Sequence, residues 1–264
     1  MENENDLTAA NLGLIASYYY VQYTTIELFH RSIRENTKRR GVIDILSAAS
    51  EFDALPMRPG EDSAIKALAM QLGVKYEDNR LSDPHFKATL LLQAHFQRSP
   101  INTDLAADQK VVLEHSIRLL QALVDVVASC SWLSPAIVAM ELSQMIVQAT
   151  TSQASPLMQL PHFTDKLVEK ATGLEVEDIF DLMNMEEDER GALFKGLQQS
   201  ELMDIAKACN RYPVISMEYA VQNEEGLEAG GNCRIKVKLE RDALEEGESV
   251  GEVYAPFYPK EKEE

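Results

Sequence analysis

The residue types able to do chemistry are scattered along this chain rather than gathered. His30, His85, His95, His115 and His162 form neither an HExxH pair nor a Cys/His set, so no metal site is expected. Cys130, Cys209 and Cys233 are odd in number, far apart and never in a CxxC. No GxxxxGK[ST] phosphate loop occurs, and Lys195 in GALFKG lacks the spacing for one. No GxSxG elbow occurs either. Asp188-Glu189-Arg190 is an acidic tripeptide in a charge-rich segment and reads as a solvated face. No catalytic residue and no cofactor are therefore expected. The best-patterned polar group lies in SIRLLQALVDVVAS, Ser116 to Ser129. There Arg118, Gln121, Asp125 and Ser129 recur at spacings of three and four, opposite Ile117, Leu120, Leu123, Val124 and Val127. Such a stripe is either a ligand-facing surface or an ordinary wet face with Gln121 paired to Asp125.

The elements that would hold this stripe are mostly helices. Leu12, Ile15, Ala16, Tyr19 and Tyr23 recur at helical spacing. Thr24 to Glu27 reads as a capping box opening a second helix to about Arg34. Lys38-Arg39-Arg40 and Gly41 precede a third, Val42 to Glu51. Gly73 ends a helix that starts at Asp62. Asp83 before Pro84, and Ser134 before Pro135, read as caps with proline at the first helical position. A helix from Leu105 to Ser129, with room for one break, and another to Ala149 complete an expected bundle. The polar stretch Thr150 to Pro156 then reads as a linker. Short helices follow at Thr164 to Thr172, Glu177 to Asn184, Glu187 to Leu193 and Ser200 to Cys209.

From Ile215 the period becomes two. Ile215, Met217, Tyr219 and Val221 alternate with polar residues, as do Cys233, Ile235, Val237 and Leu239, with Gly230-Gly231 between the runs. Two strands joined by a turn are expected.

The composition bounds the rest. The 264 residues are 45% hydrophobic, enough for one large or two small cores. Lys and Arg number 25 against 43 Asp and Glu, a net charge of −18. Residues 1–150 carry 13 basic and 18 acidic side chains, or −5; residues 151–264 carry 12 and 25, or −13. Such a balance repels phosphate at long range, so tight nucleic-acid binding by the chain alone is not expected. No apolar run approaches the ~20 residues that span a bilayer, and no charged-then-apolar leader opens MENENDLTAA. A reduced compartment, cytosol or nucleus, is the expectation.

Five segments in fixed order carry a resemblance: IDILSAASEFDALPMR (Ile43 to Arg58), DPHFKATLLLQAHFQR (Asp83 to Arg98), LPHFTD (Leu160 to Asp165), MEEDER (Met185 to Arg190) and CNRYP (Cys209 to Pro213). Together they resemble the Sec-63-type module that follows the motor domains in large spliceosomal RNA helicases of the Ski-like class, from about Leu12 to Pro259. The module takes its name from a translocation protein of the endoplasmic reticulum, which has membrane spans and a His-Pro-Asp motif. Here Asp83-Pro84-His85 runs in reverse and no span exists, so the translocation function is not expected. The polar stretch Gln148 to Gln159 departs from the pattern, where an aromatic and charged residues are expected before the Leu-Pro-His.

The resemblance implies a mainly α fold: a multi-helix bundle plus helix-loop-helix, followed by a truncated immunoglobulin-like β segment. The expected domains are 1–22, the end of a winged-helix-like domain; 23–155, the bundle; 156–213, the helix-loop-helix; and 214–264, an incomplete β domain. It implies that SIRLLQALVDVV takes the place of a ratchet helix across an RNA tunnel, with Arg118 at a phosphate or base face and Gln121 at a base edge. It implies a nuclear, non-catalytic accessory of an ATP-dependent RNA helicase in pre-mRNA splicing. Its partners would be the motor domains and splicing factors, with RNA held only weakly. The segments look more like the second of the two helicase cassettes, which in the family is largely a docking platform. The alternative is a free-standing helical adaptor. Arg58, beside Pro56, is expected to pair with Glu51 or with carbonyls at a helix end. Trp132, between two helices, is expected as a core plug.

Overall fold

The computed structural model describes residues 10–222, 228, 230–241 and 253–262. It is mainly helical, with one two-stranded sheet among the described residues. The chain divides into two compact units, residues 1–154 with 255–261, and residues 155–254 with 262–264.

The first unit is built on two long helices. Helix α5 (Pro84–Phe96) is buried on nearly every side, including Phe86, Leu90, Leu91, Leu92 and Phe96. A helix apolar all round belongs at the centre of a core, and α5 is placed there. Asp83 caps it as expected, its Oδ1 accepting from the His85 amide at 2.9 Å, with Pro84 in the first turn. Helix α6 (Thr103–Ser129) is one unbroken element of 27 residues, capped by Asn102, whose Oδ1 accepts from the Leu105 amide at 2.8 Å. Helix α7 (Leu133–Gln148) packs against it.

Around these lie α1 (Asn11–Tyr19), α2 (Tyr23–Ser32), α3 (Arg39–Ser47) and α4 (Asp62–Gln71). Gly73, at φ +66°, turns the chain after α4 as expected of a residue free to enter the left-handed region. Several local expectations are corrected. Tyr20, at φ 51°, stops α1, so Tyr23 opens α2 and is exposed instead of continuing the buried stripe. The Thr24–Glu27 capping box does not form: Gln22 precedes α2, and the two threonines tie it to the Ser50 turn instead. Thr24 Oγ1 lies 2.8 Å from Ser50 Oγ, and Thr25 Oγ1 donates to Glu51 at 2.5 Å. Helix α3 begins three residues earlier than expected and yields at Ala48 to a 3-10 turn over Ser50–Phe52. Ser134 is not a cap, because α7 starts at Leu133 after Trp132. Trp132 is half-buried and packs on the core edge.

Residues 255–261 also join this unit. Tyr258 is buried, Phe257 lies under the Arg98 guanidinium at 4.6 Å, and Lys260 pairs with Glu114 at 3.5 Å.

The second unit holds α8 (Asp165–Thr172), α9 (Ile179–Asn184), α10 (Glu187–Leu193) and α11 (Gln199–Arg211) around Leu157, Phe163, Ile179, Leu182, Leu193 and Ile205. Two capping boxes, Asp178 with Asp181 and Gln198 with Glu201, start α9 and α11. Glu187, Asp188 and Glu189 fill the first turn of α10, where the helix dipole favours negative charge. Strands β1 (Ile215–Gln222) and β2 (Arg234–Arg241) pair antiparallel, with Met217 opposite Leu239 and Tyr219 opposite Val237. Their apolar side chains are exposed, Tyr219 at 73% and Leu239 at 64%.

Candidate RNA-facing helix and the ion network behind it

Helix α6 owes its orientation to its inner face. Val112, Leu119, Leu120, Leu123, Val126 and Val127 are fully buried, and that leaves the stripe of Arg118, Gln121 and Asp125 on the opposite side. A helix of this length spans about 40 Å at 1.5 Å per residue, so one rigid element carries the whole stripe.

The stripe is not uniform. Gln121 is exposed, and no described residue bonds its side chain. Arg118 is half-buried; its Nη2 lies 3.1 Å from His115 Nδ1, and its Nε is buried without a hydrogen-bond partner among the described residues. Burial, and then the Arg118 charge, push the His115 pKa down, which keeps the ring neutral and able to accept from Arg118. Asp125 is committed elsewhere. It accepts from the Tyr19 hydroxyl of α1 at 2.8 Å, a bond between helices in place of the Gln121 pairing that the wet-face alternative offered. Burial, and then that carboxylate, push the Tyr19 pKa up to about 12. Ser129 turns its hydroxyl back to the Val126 carbonyl at 2.7 Å. Of the four stripe residues, Arg118 and Gln121 are the ones with N–H groups left to donate among the described residues.

Behind α6 lies a feature that sequence reasoning missed. Lys87, from the middle of α5, is 1% exposed. Its ammonium donates to the Pro56 carbonyl at 2.6 Å and reaches Glu61 and Asp108, each at 2.7 Å. Arg58 completes the group, with Nη2 donating to Asp108 Oδ1 at 2.9 Å and Nη1 donating to Glu61 at 3.0 Å and to the second Asp108 oxygen. The expected partner of Arg58, Glu51, is instead held by the Gln22 amide and Thr25. Burial alone would raise the pKa values of Glu61 and Asp108; the bonds from Lys87 and Arg58 outweigh it and hold both below the usual carboxylate range. The Arg58 pKa is raised, first by its bond to Asp108. Two cations and two anions thus pair, three of them buried and Arg58 35% exposed at the edge, joining the residue before α4 to α5, α6 and the Pro56–Arg58 loop. A signal existed in PHFKATLLLQAHF: a lysine inside a helix with no polar face must find carboxylates.

The motif LLLQAHFQR serves the end of α7. Buried His95 contacts the Ile146 carbonyl through Nε2 at 2.6 Å, and Arg98 donates to the carbonyls of Ala149 at 2.9 Å and Gln148 at 3.2 Å. These are the orphan carbonyls that a helix C-terminus leaves without partners. Burial pushes the His95 pKa down, against that carbonyl bond. In the second unit, Arg190 of MEEDER donates to the carbonyls of Met185 at 2.8 Å and Met183 at 3.1 Å. His162 of LPHFTD meets Asp204 at 2.8 Å. These segments act as ties within the fold.

Among the described residues, no group of three or more His, Cys, Asp or Glu side chains is placed to hold a metal, and no helix is long and apolar enough to cross a membrane.

Comparison with known proteins gives a consistent result. The sequence matches the Sec63 Brl domain over residues 9–264. It is 45% identical over 264 residues to the human U5 small nuclear ribonucleoprotein 200 kDa helicase, covering 100% of this chain and 12% of that protein. The Drosophila melanogaster protein of the same name is 41% identical over 269 residues, again 100% of this chain and 12% of the relative. The Dictyostelium discoideum activating signal cointegrator 1 complex subunit 3-like protein is 42% identical over 268 residues, 99% of this chain and 12% of its own length. The chain thus spans about 12% of the length of the curated relatives it matches.

Proposed function

Because the chain belongs to the Sec63 Brl domain family, which it matches over residues 9–264, we propose that it works as a non-catalytic accessory module of a spliceosomal ATP-dependent RNA helicase. In this reading it acts in the nucleus, beside motor domains, shaping the RNA path and docking splicing factors. The observation that carries the reading is the extent of the match: the whole chain aligns with only 12% of a relative named as a helicase. A piece of that size corresponds to a component of the larger protein rather than to all of it.

The α6 stripe supplies the RNA-facing part. Arg118 has a half-buried guanidinium beside His115 and Gln121 an exposed amide, three residues apart on one helix face. A guanidinium there suits a phosphate or a base face, and the amide suits a base edge. The acidic balance of −18 weighs against tight binding by the chain alone and favours the docking of proteins as its larger task. The test uses the intact helicase. Arg118→Ala and Gln121→Ala should lower RNA-stimulated ATP hydrolysis or unwinding, with the melting temperature unchanged, if this is an unwinding cassette. Unchanged unwinding together with retained capture of splicing factors would assign the module to docking alone. Unchanged unwinding and ATP hydrolysis in both variants, together with no splicing factor captured by the wild-type chain, would overturn the reading.

A further inference from the structure

The chain leaves the first unit after residue 154 and returns to it for residues 255–261. The returning segment is a closed loop. At its neck the Val253 amide donates to the Lys262 carbonyl at 2.8 Å, and at its tip the Tyr258 amide donates to the Ala255 carbonyl at 3.0 Å. Tyr258 is buried and Ala255 packs beside it, so the tip of the loop is part of the first core.

The departing and the returning chain meet one side chain. Arg98 donates from Nε to the Ala149 carbonyl at 2.9 Å and from Nη2 to the Gln148 carbonyl at 3.2 Å, where α7 ends and the chain is about to depart. The same guanidinium lies 4.6 Å from the centre of the Phe257 ring, on the returning loop. Its edge serves the carbonyls and its face the ring, a division that the planar group allows. The backbone at this point is costly. Arg98 and Ala149 each sit at φ 48°, in the left-handed region where glycine is the usual residue after a helix. A glycine at position 98 would remove that strain and leave the carbonyls and the ring without their donor. The arginine is therefore explained by its contacts and not by its backbone. The loop also reaches the α6 stripe. Lys260 pairs with Glu114 at 3.5 Å, and its charge adds to burial and Arg118 in lowering the pKa of His115. His115 is the group that faces Arg118 Nη2 at 3.1 Å.

We propose that Arg98 is a clasp that fastens the departing and the returning chain at one point, and that opening it frees the 255–261 loop from α6 one turn ahead of Arg118. The bearing of the loop on RNA rests on the reading of α6 above; the clasp itself does not.

Hydrogen exchange on the full 264-residue chain tests it. Arg98→Gly relieves the left-handed backbone and removes the side chain alone. The Thr150 amide, bonded to the Met145 carbonyl, and the Tyr258 amide should then both exchange about tenfold faster or more, while amides of Leu119 to Val127 stay unchanged. Phe257→Ala, at an exposed ring, should speed the same two amides from the other side, and it stands in if Arg98→Gly folds poorly. In both variants His115 should titrate at a higher pH, because the Lys260 charge no longer bears on it. The proposal is overturned if each variant speeds only the amide on its own side, since the two stretches of chain are then fastened separately. It is also overturned if neither amide changes, or if Tyr258 exchanges in the wild type as fast as in an unfolded peptide. In the intact helicase, Phe257→Ala should lower RNA-stimulated ATP hydrolysis as Arg118→Ala does. A freed loop with unchanged hydrolysis, while Arg118→Ala lowers it, would overturn the bearing of the loop on RNA. Hydrolysis unchanged in Arg118→Ala as well would overturn the RNA reading of α6 and leave the clasp standing.

Discussion

Helix α6 and the β1–β2 sheet both present one apolar face per element, and they fare differently. In α6, Leu119, Leu120 and Leu123 are fully buried against neighbouring helices, while in the strands Met217, Tyr219, Val237 and Leu239 stand more than half exposed. Burial of a side chain of this size is worth ~1.5–3 kcal/mol, so the bundle is held by its own surfaces and the sheet gains little from its own. Two strands are marginal without a cover. An apolar pattern in sequence states which surface wants a partner; it does not say whether the described residues supply one.

The difference can be broken most forcefully inside the bundle. Lys87→Ala removes one cation from the buried network and leaves Glu61 and Asp108 with Arg58 alone. The expected loss is about 3–5 kcal/mol in denaturant unfolding of the full chain, the cost of an uncompensated buried charge. Replacing Lys87, Arg58, Glu61 and Asp108 together with apolar residues of similar volume should cost far less, since removing the whole network leaves no uncompensated charge.

The same network fixes an acid limb. Glu61 and Asp108 titrate below their unfolded values, so between the two values the unfolded chain binds more protons. Their contribution is complete above the ordinary carboxylate pKa of about 4 and falls as pH drops through the folded values. His95, also depressed, adds a separate loss that begins below about pH 6.5. Stability measured against pH should fall in two stages, and the Lys87→Ala variant should flatten the lower one.

A matched pair sharpens the contrast between helix and strand. Leu123→Ala should cost about 2–5 kcal/mol, whereas Leu239→Ala should stay within about 0.5 kcal/mol, although both are leucines on apolar stripes. Equal losses would mean that the sheet is covered in solution. A smaller effect belongs to the cap: Asp83→Ala should cost about 1 kcal/mol through the lost bond to the His85 amide.

Much of this was legible in the sequence, and the misses share a cause. The helix existence, the Asp83 and Gly73 signals and the switch to period two at Ile215 rest on local chemistry, and local chemistry is what a sequence displays. The Thr24 cap failed because tertiary partners claimed the groups, Ser50 and Glu51 taking the threonines, and the Ser134 cap failed because α7 began one residue earlier, at Leu133. One alternative paired Asp125 with Gln121 on its own helix, whereas it bonds Tyr19, 106 residues away. The Lys87 network draws residues from 56 to 108, a span over which spacing carries no information. Spacing located the stripe and the resemblance to the Sec-63-type module gave it a role, but the bond that engages Asp125 depended on Tyr19 of α1.

Hydrogen exchange on the full chain tests the contrast between bundle and sheet most directly. Amides of α5 and α6 should exchange only through global unfolding, while those of 215–222 and 234–241 should exchange orders of magnitude faster through local opening. Strand amides protected as strongly as those of α6 would contradict the account, because the sheet would then have found its cover within this chain.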